Sequence, residues 1–141
     1  MERLYTAEAT AYGQRTGSVV SPDDRVDLQL SRPAEMGGDG GPGTNPEQLF
    51  AAGYAACFHS AMRFGVPQLG LPKTALDGSS VTARVSFVKE APTEFGLAVE
   101  LVGSLPQLDR EQAQRLMEVT HTICPYSRAT RGNVPVELTV A

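Results

Sequence analysis

A helix with almost no polar face constrains this chain more than any other feature. Leu49, Phe50, Ala51, Ala52, Tyr54, Ala55, Ala56 and Phe58 follow one another behind a clear start signal. Thr44 or Asn45 supplies an N-cap, Pro46 suits the first helical position, and Glu47 suits the positive amino end. The pattern predicts helix to about Phe64, before Gly65 and Pro67. A helix that is apolar all round must be covered all round. The run from Leu49 to Phe58 is about half of what a membrane span needs. One small sheet covers one side only, so a partner subunit is expected to cover the other.

The remaining segments predict that sheet. Leu4–Tyr12 is rich in β-formers, Gly13–Gly17 reads as a hairpin loop, and Ser18–Ser21 as its return strand. Val26–Ser31 alternates apolar and polar residues, as a half-buried strand does. Gly37–Gly43 reads as a long flexible connection, without the Gly-Lys-Ser/Thr ending of a phosphate loop. Ser80–Lys89 and Phe95–Val102 alternate on either side of a turn at Ala91–Thr93, which predicts an antiparallel hairpin. Asp109 caps a second helix, with Leu116, Val119, Thr120 and Ile123 on its apolar stripe. Pro125 ends or restarts that helix at Cys124, and Val134–Val140 is a closing strand. The order β-β-β-α-β-β-α-β predicts an α+β fold rather than a doubly wound sheet. The 141 residues suit a single domain over 1–141.

Composition removes several function classes. At 41% hydrophobic and 20% charged the chain reads as globular. Its net charge is −4, and its twelve basic residues are dispersed, which argues against nucleic acid. Met1–Thr6 carries no apolar signal segment, so a soluble cytoplasmic protein is expected. In that compartment two cysteines point to redox chemistry rather than a structural staple. Cys57 and Cys124 are 67 positions apart, so only the fold can bring them together.

Each cysteine carries two readings. Burial among Ala, Tyr and Phe pushes a thiol toward inertness, which would leave Cys57 a small core residue. A fixed cation nearby reverses this, and Arg15, in a glycine-flanked loop, is the candidate with the best context. Cys124 either closes a helix, where the dipole opposes a thiolate, or opens a new turn, which favours one. A thioredoxin-like site fits poorly, since Cys124 follows a helix and too little chain remains for a βαβ unit. His59 points away from Cys57 on a helix, whereas His121, three residues before Cys124, can share its face. Two cysteines without grouped carboxylates support no zinc site. Ser60 and Ser127 lack a Gly-x-Ser-x-Gly elbow.

Taken together, these residues resemble a known family. Gly43–Phe58 resembles the signature of organic hydroperoxide resistance (Ohr) proteins, within the wider OsmC-like superfamily. Ile123–Ser127 with Ala129–Asn133 matches the family's second block, and Arg15 before Thr16-Gly17 falls where the family has its loop arginine. The departures are Gln14, where a glycine is common, and Arg128, where an asparagine is common. The resemblance implies antiparallel sheets packed around central helices in an intertwined homodimer. It implies a thiol peroxidase that protects against oxidative stress. Cys57 would be oxidised to a sulfenic acid, and Cys124 would resolve it as a Cys57–Cys124 disulfide. Arg15 would lower the pKa of Cys57, and Glu47 would hold Arg15 by a bidentate pair. No metal, haem or flavin is implied, and electrons would come from the dihydrolipoyl group of a lipoylated protein.

Phe50, Tyr54, Phe58, Met62 and Phe64 are expected to line an apolar slot near Cys57. Such a slot favours alkyl or fatty-acid hydroperoxides by about 0.8 kcal/mol per buried methylene. Two other functions stay open: a dithiol–disulfide oxidoreductase acting on proteins, and a non-enzymatic dimer that binds apolar ligands. The helix also poses a geometric problem. Glu47 and Cys57 are ten residues apart, about 15 Å of rise on a straight helix. Either the helix breaks near Gly53, or Arg15 and Glu47 reach Cys57 from the other subunit.

Overall fold

Six strands and three α-helices follow one another as β1 (Thr10–Tyr12), β2 (Ser18–Val20), β3 (Asp27–Gln29), α1 (Pro46–Gln68), β4 (Ser80–Ala91), β5 (Glu94–Ser104), α2 (Arg110–Ile123), α3 (Pro125–Thr130) and β6 (Val136–Val140). The computed structural model describes all of Met1–Ala141. The chain divides into two compact units, Met1–Leu49 and Phe50–Ala141, with the boundary one turn inside α1.

In the first unit β1, β2 and β3 form an antiparallel sheet in that order. Thr10 faces Val20, and Val20 faces Asp27. The strand expected from Leu4 shrinks to Thr10–Tyr12. Leu4 and Tyr5 are exposed, and no strand of this chain pairs with them. Their β-propensity has nothing to pack against, and packing is most of what that propensity measures. The β1–β2 loop is a short 3-10 turn over Gln14–Thr16, entered through Gly13 at φ 71°. Gly17 closes it so tightly that a Cβ there would lie 1.8 Å from the Tyr12 carbonyl oxygen.

The glycine-rich segment is not a loose connection. Gly38 N–H bonds to the Pro33 carbonyl at 2.9 Å and Gly43 N–H to Ser31 Oγ at 2.8 Å. Thr44 then pairs beside Leu30 in a parallel bridge. Of the two candidate caps, Asn45 takes the role: its Oδ1 accepts the Gln48 N–H at 2.8 Å. The Arg15 guanidinium grips Glu47, in the first turn of α1, through both nitrogens at 2.9 and 2.8 Å. That grip holds the Glu47 carboxyl below its usual value, against the opposing effect of partial burial.

In the second unit α1 buries a stripe formed by Tyr54, Phe58, Ala61, Met62, Gly65 and Val66, spaced three and four residues apart. The helix passes Phe64, where the sequence predicted its end, and carries Pro67 in its last turn. The carbonyl that Pro67 cannot serve belongs to Arg63, an exposed residue, which leaves it open to solvent. β4 and β5 form the expected hairpin, with Val85 facing Val99. β6 lies on the other side of β5 but runs parallel to it, so this sheet is mixed rather than antiparallel. A parallel neighbour needs a crossover, and α2 with α3 supplies it.

α2 opens with a reciprocal capping box between Asp109 and Gln112. Pro125 forces Cys124 into extended backbone, φ −61° and ψ 125°, and α3 restarts the chain as a third helix. One apolar cluster joins Tyr54, Phe58 and Met62 of α1 to Val99 and Leu101 of β5 and to Leu116 and Met117 of α2. Each such side chain contributes about 1.5–3 kcal/mol by leaving water.

Two predictions follow for the first unit. Gly17→Ala presses a methyl against backbone that cannot move aside and should destabilise the protein by about 3 kcal/mol in urea unfolding. Gly37→Ala, at φ 77° with open space around it, should cost only about 1–2 kcal/mol. Equal costs would contradict the tight closure at Gly17. For Glu47, a depressed carboxyl pKa contributes stability that is complete above its ordinary value of 4.5 and is lost as pH falls through the folded value. Wild type should therefore be more stable than Glu47→Gln at neutral pH, and the gap should close on acidification below 4.5.

Candidate functional site

Cys57 lies on α1 beside the buried stripe, half-exposed, while Cys124 is fully buried at the α2–α3 junction. Both are free thiols, and the Cys124 sulfur lies 3.6 Å from the Cys57 sulfur. The fold thus joins two residues that the sequence holds far apart. Cys124 also combines both local readings. Its N–H ends α2 on the Thr120 carbonyl at 2.9 Å, and its carbonyl accepts the Arg128 N–H of α3 at 3.0 Å. A disulfide would require the sulfurs to close from 3.6 Å to about 2.05 Å. Burial pushes the Cys57 thiol up. The Tyr126 backbone N–H opposes that rise, and Cys124 adds to it.

Beside Cys57 an open hollow of about 320 Å³ is lined by Cys57, Ser60, Ala61, Phe64, Ile123 and Pro125. This differs from the expected slot. Tyr54, Phe58 and Met62 are closed off in the core with no exposed surface, because they form the stripe that seats α1. Phe50 packs against Tyr54 and Tyr126 instead, at ring-centroid distances of 6.0 and 6.1 Å. Of the five aromatic and methionine candidates only Phe64 borders the hollow, and it is exposed.

The expected break near Gly53 is absent: α1 is continuous from Pro46 to Gln68. Gly53 serves packing instead. A Cβ there would lie 2.8 Å from the Tyr126 hydroxyl and 3.2 Å from its ring. The small residue lets the Cys-Pro-Tyr-Ser segment approach α1. Tyr126 was missed in the sequence, where only its place two residues after Cys124 marked it.

A polar cluster behind the sulfurs was also missed. The Tyr54 hydroxyl lies 2.9 Å from Ser127 Oγ and 3.2 Å from Thr130 Oγ1. His121 Nδ1 lies 2.8 Å from the same Ser127 Oγ. Burial, and then the positive charge of Arg131, lower the His121 pKa. His59 bonds elsewhere, to Ser79 Oγ at 2.8 Å. No group of three His, Cys, Asp or Glu is placed to hold a metal ion. Arg15 and Glu47 form their bidentate pair in the first unit, as described above.

Residues 37–139 match the family model described as OsmC-like protein. The organic hydroperoxide resistance protein of Xanthomonas axonopodis pv. citri is 51% identical over 140 residues, covering 98% of this chain and 95% of the relative. The organic hydroperoxide resistance protein OhrB of Bacillus subtilis is 44% identical over 136 residues, with 96% of each covered. Among solved structures, an organic hydroperoxide resistance protein from Legionella pneumophila superposes with a TM-score of 0.89 at 43% identity, covering 99% of both chains. The α+β fold with its paired helices and two three-stranded sheets is therefore shared with relatives close in sequence as well as in shape. This chain belongs to the organic hydroperoxide resistance proteins of the OsmC-like family.

Proposed function

We propose that the chain is a cysteine-based peroxidase that reduces organic hydroperoxides to alcohols. The observation that carries this reading is the 3.6 Å approach of the Cys57 and Cys124 sulfurs beside a hollow with an apolar wall. In the first step the Cys57 thiolate attacks the O–O bond of the hydroperoxide. A sulfur–oxygen bond forms, the O–O bond breaks, and the alkoxide leaves as alcohol after taking a proton. Cys57 is then a sulfenic acid. Cys124 attacks that sulfur, the S–O bond breaks, and water leaves with the thiol proton. A dithiol, in this reading the dihydrolipoyl group of a lipoylated protein, restores both thiols and becomes the disulfide.

A buried thiol is a poor nucleophile until a positive group stabilises its thiolate. Arg15 is assigned that role and also polarises the peroxide, with Glu47 fixing its guanidinium. Phe64 and Ile123 provide the apolar wall for the alkyl group. Ala52, Ala56 and Phe64 of α1 remain exposed in a single chain, which supports a homodimer that covers this face. No helix is long and apolar enough to cross a membrane, and the reading places the enzyme in the cytoplasm.

Thiol titration with one equivalent of an alkyl hydroperoxide tests the chemistry. Wild type should lose both thiols, Cys124→Ser should stop at oxidised Cys57, and Cys57→Ser should not react. Unchanged turnover in Cys57→Ser would sink the mechanism. The kcat/KM for a bulky alkyl hydroperoxide should exceed that for hydrogen peroxide by at least about tenfold, because two buried methylenes supply roughly 1.6 kcal/mol. Equal values, with ready disulfide exchange on proteins, would favour the oxidoreductase reading.

Because α1 is continuous, we infer that Arg15 and Glu47 serve Cys57 across a homodimer interface. A doubly tagged heterodimer of Cys57→Ser and Arg15→Ala chains tests it. Two inactive chains should together regain one complete site of two, about half of wild-type turnover per dimer. No recovery would place Arg15 and Cys57 of one chain in the same site.

A further inference from the structure

Behind the two sulfurs the polar cluster forms a directed chain. The Thr130 hydroxyl donates to the Ser127 carbonyl at 3.0 Å. A hydroxyl has one proton, so Thr130 Oγ1 must accept from Tyr54 at 3.2 Å. Having donated, the Tyr54 oxygen accepts from Ser127 Oγ at 2.9 Å. Ser127 Oγ in turn accepts from His121 Nδ1 at 2.8 Å, so this ring nitrogen carries the proton. The opposite order leaves the Thr130 oxygen and the Ser127 carbonyl facing each other without a proton between them. A buried polar group left unpaired costs about 1–3 kcal/mol, and no buried side-chain polar atom of this protein lacks a partner.

The chain ties three helices together. Tyr54 belongs to α1, His121 to α2, and Ser127 and Thr130 to α3. Cys124 sits between His121 and Ser127 at the junction, and Cys57 lies one turn beyond Tyr54. Tyr54 and Ser127 have no exposed surface, Thr130 is buried and His121 half-buried, so the hydroxyl part of the network is sheltered from competing water. We propose that the His121–Ser127–Tyr54–Thr130 chain is a positioning device for Cys124, locking the α2–α3 junction onto α1 so that the resolving sulfur stays aimed at Cys57. None of the four is a catalytic residue; each acts through the placement of Cys124. This inference rests on the peroxidase reading, and within it concerns only the second step: Cys124–SH and Cys57–SOH become the disulfide and water. A misplacement of about 1 Å can cost two orders of magnitude in such a step.

Tyr54→Phe, Ser127→Ala and the double variant test this. Rapid mixing with an alkyl hydroperoxide should show loss of the first thiol at the wild-type rate in all three. Disulfide formation should slow by about tenfold or more, and the double variant should be no slower than the slower single, as links of one chain are not additive. In Ser127→Ala the His121 ring should lose its Nδ1-protonated nitrogen-15 signature. Equilibration of the disulfide with dithiothreitol needs no peroxide and gives a separate readout. It should shift about tenfold toward the dithiol, or roughly 30 mV. Wild-type rates of disulfide formation with an unshifted equilibrium would overturn the positioning role, as would an equal slowing of the first step. A wild-type protein that ignores hydroperoxides while the variants still shift the dithiothreitol equilibrium would overturn the peroxidase reading alone. Should Ser127→Ala fail to fold, Tyr54→Phe decides by itself, since it keeps the ring packed among Phe50, Phe58 and Tyr126.

Discussion

The seating of α1 in the core of the second unit governs the distance between the two sulfurs. The Tyr126 N–H and the Cys124 sulfur touch the Cys57 sulfur, but neither fixes where Cys57 sits. It is carried by a helix whose Tyr54, Phe58 and Met62 cannot move without opening a cavity, and a cavity at any of the three costs several kcal/mol. Close approach of the neighbouring elements depends on two small residues of that helix. Gly65 admits Leu116 of α2, whose methyl would lie 2.8 Å from an added Cβ, and Gly53 admits the Tyr126 ring. Pro125 does the rest by ending α2 at Cys124 and restarting the chain in a new direction. Packing and backbone geometry thus place the thiol pair before any thiol chemistry begins.

The first unit presents a different physical problem, that of holding one charged side chain still. A long arginine loses considerable rotamer freedom when fixed. Here both ends of the constraint are built into the chain: Gly13 and Gly17 close the loop, and Glu47 grips the guanidinium at 2.8 and 2.9 Å. Exposed pairs of this kind contribute little to stability. This pair is partly covered, with 35% of the Arg15 and 13% of the Glu47 side chain exposed, and its bidentate geometry fixes the guanidinium's orientation as well as contributing energy.

Much of this was legible in the sequence, and the failures have physical causes. The capped start of α1, the hairpin of β4 and β5 and the Asp109 cap are local signals, and each appears within a residue or two of its expected place. The direction of β6 was not legible, because alternation tells that a strand is half-buried but not which way its neighbour runs. The slot residues failed for a related reason. Phe58 and Met62 are as apolar as a substrate wall needs to be, and composition cannot distinguish a side chain that faces a hollow from one that faces a core. The approach of Cys57 to Cys124 was available only through family likeness, since nothing local encodes a contact across 67 positions. The hydroxyl network left no signal at all. Ser127, Thr130 and His121 are ordinary surface-compatible residues until the folded backbone gathers them around Tyr54.

Electrostatics completes the picture. Alone, the second unit disfavours the very species a peroxidase needs, since burial raises the Cys57 thiol pKa and one backbone N–H only partly offsets it. A resting thiol is also a protected one, because over-oxidation proceeds through the thiolate. On the proposed reading the compensating positive group is Arg15, and it would not act as a bare charge, for Glu47, its bidentate partner, neutralises most of its field beyond a few ångströms. What survives such a pairing is short-range and directional, so on that reading the guanidinium would act on a thiolate or a peroxide oxygen only at contact distance. Under the proposed mechanism, activation would be confined to the moment when sulfur, peroxide and guanidinium meet. The cost of ionising Cys57 would then be met only in a complete site, which would keep the thiol quiet in every other state of the protein.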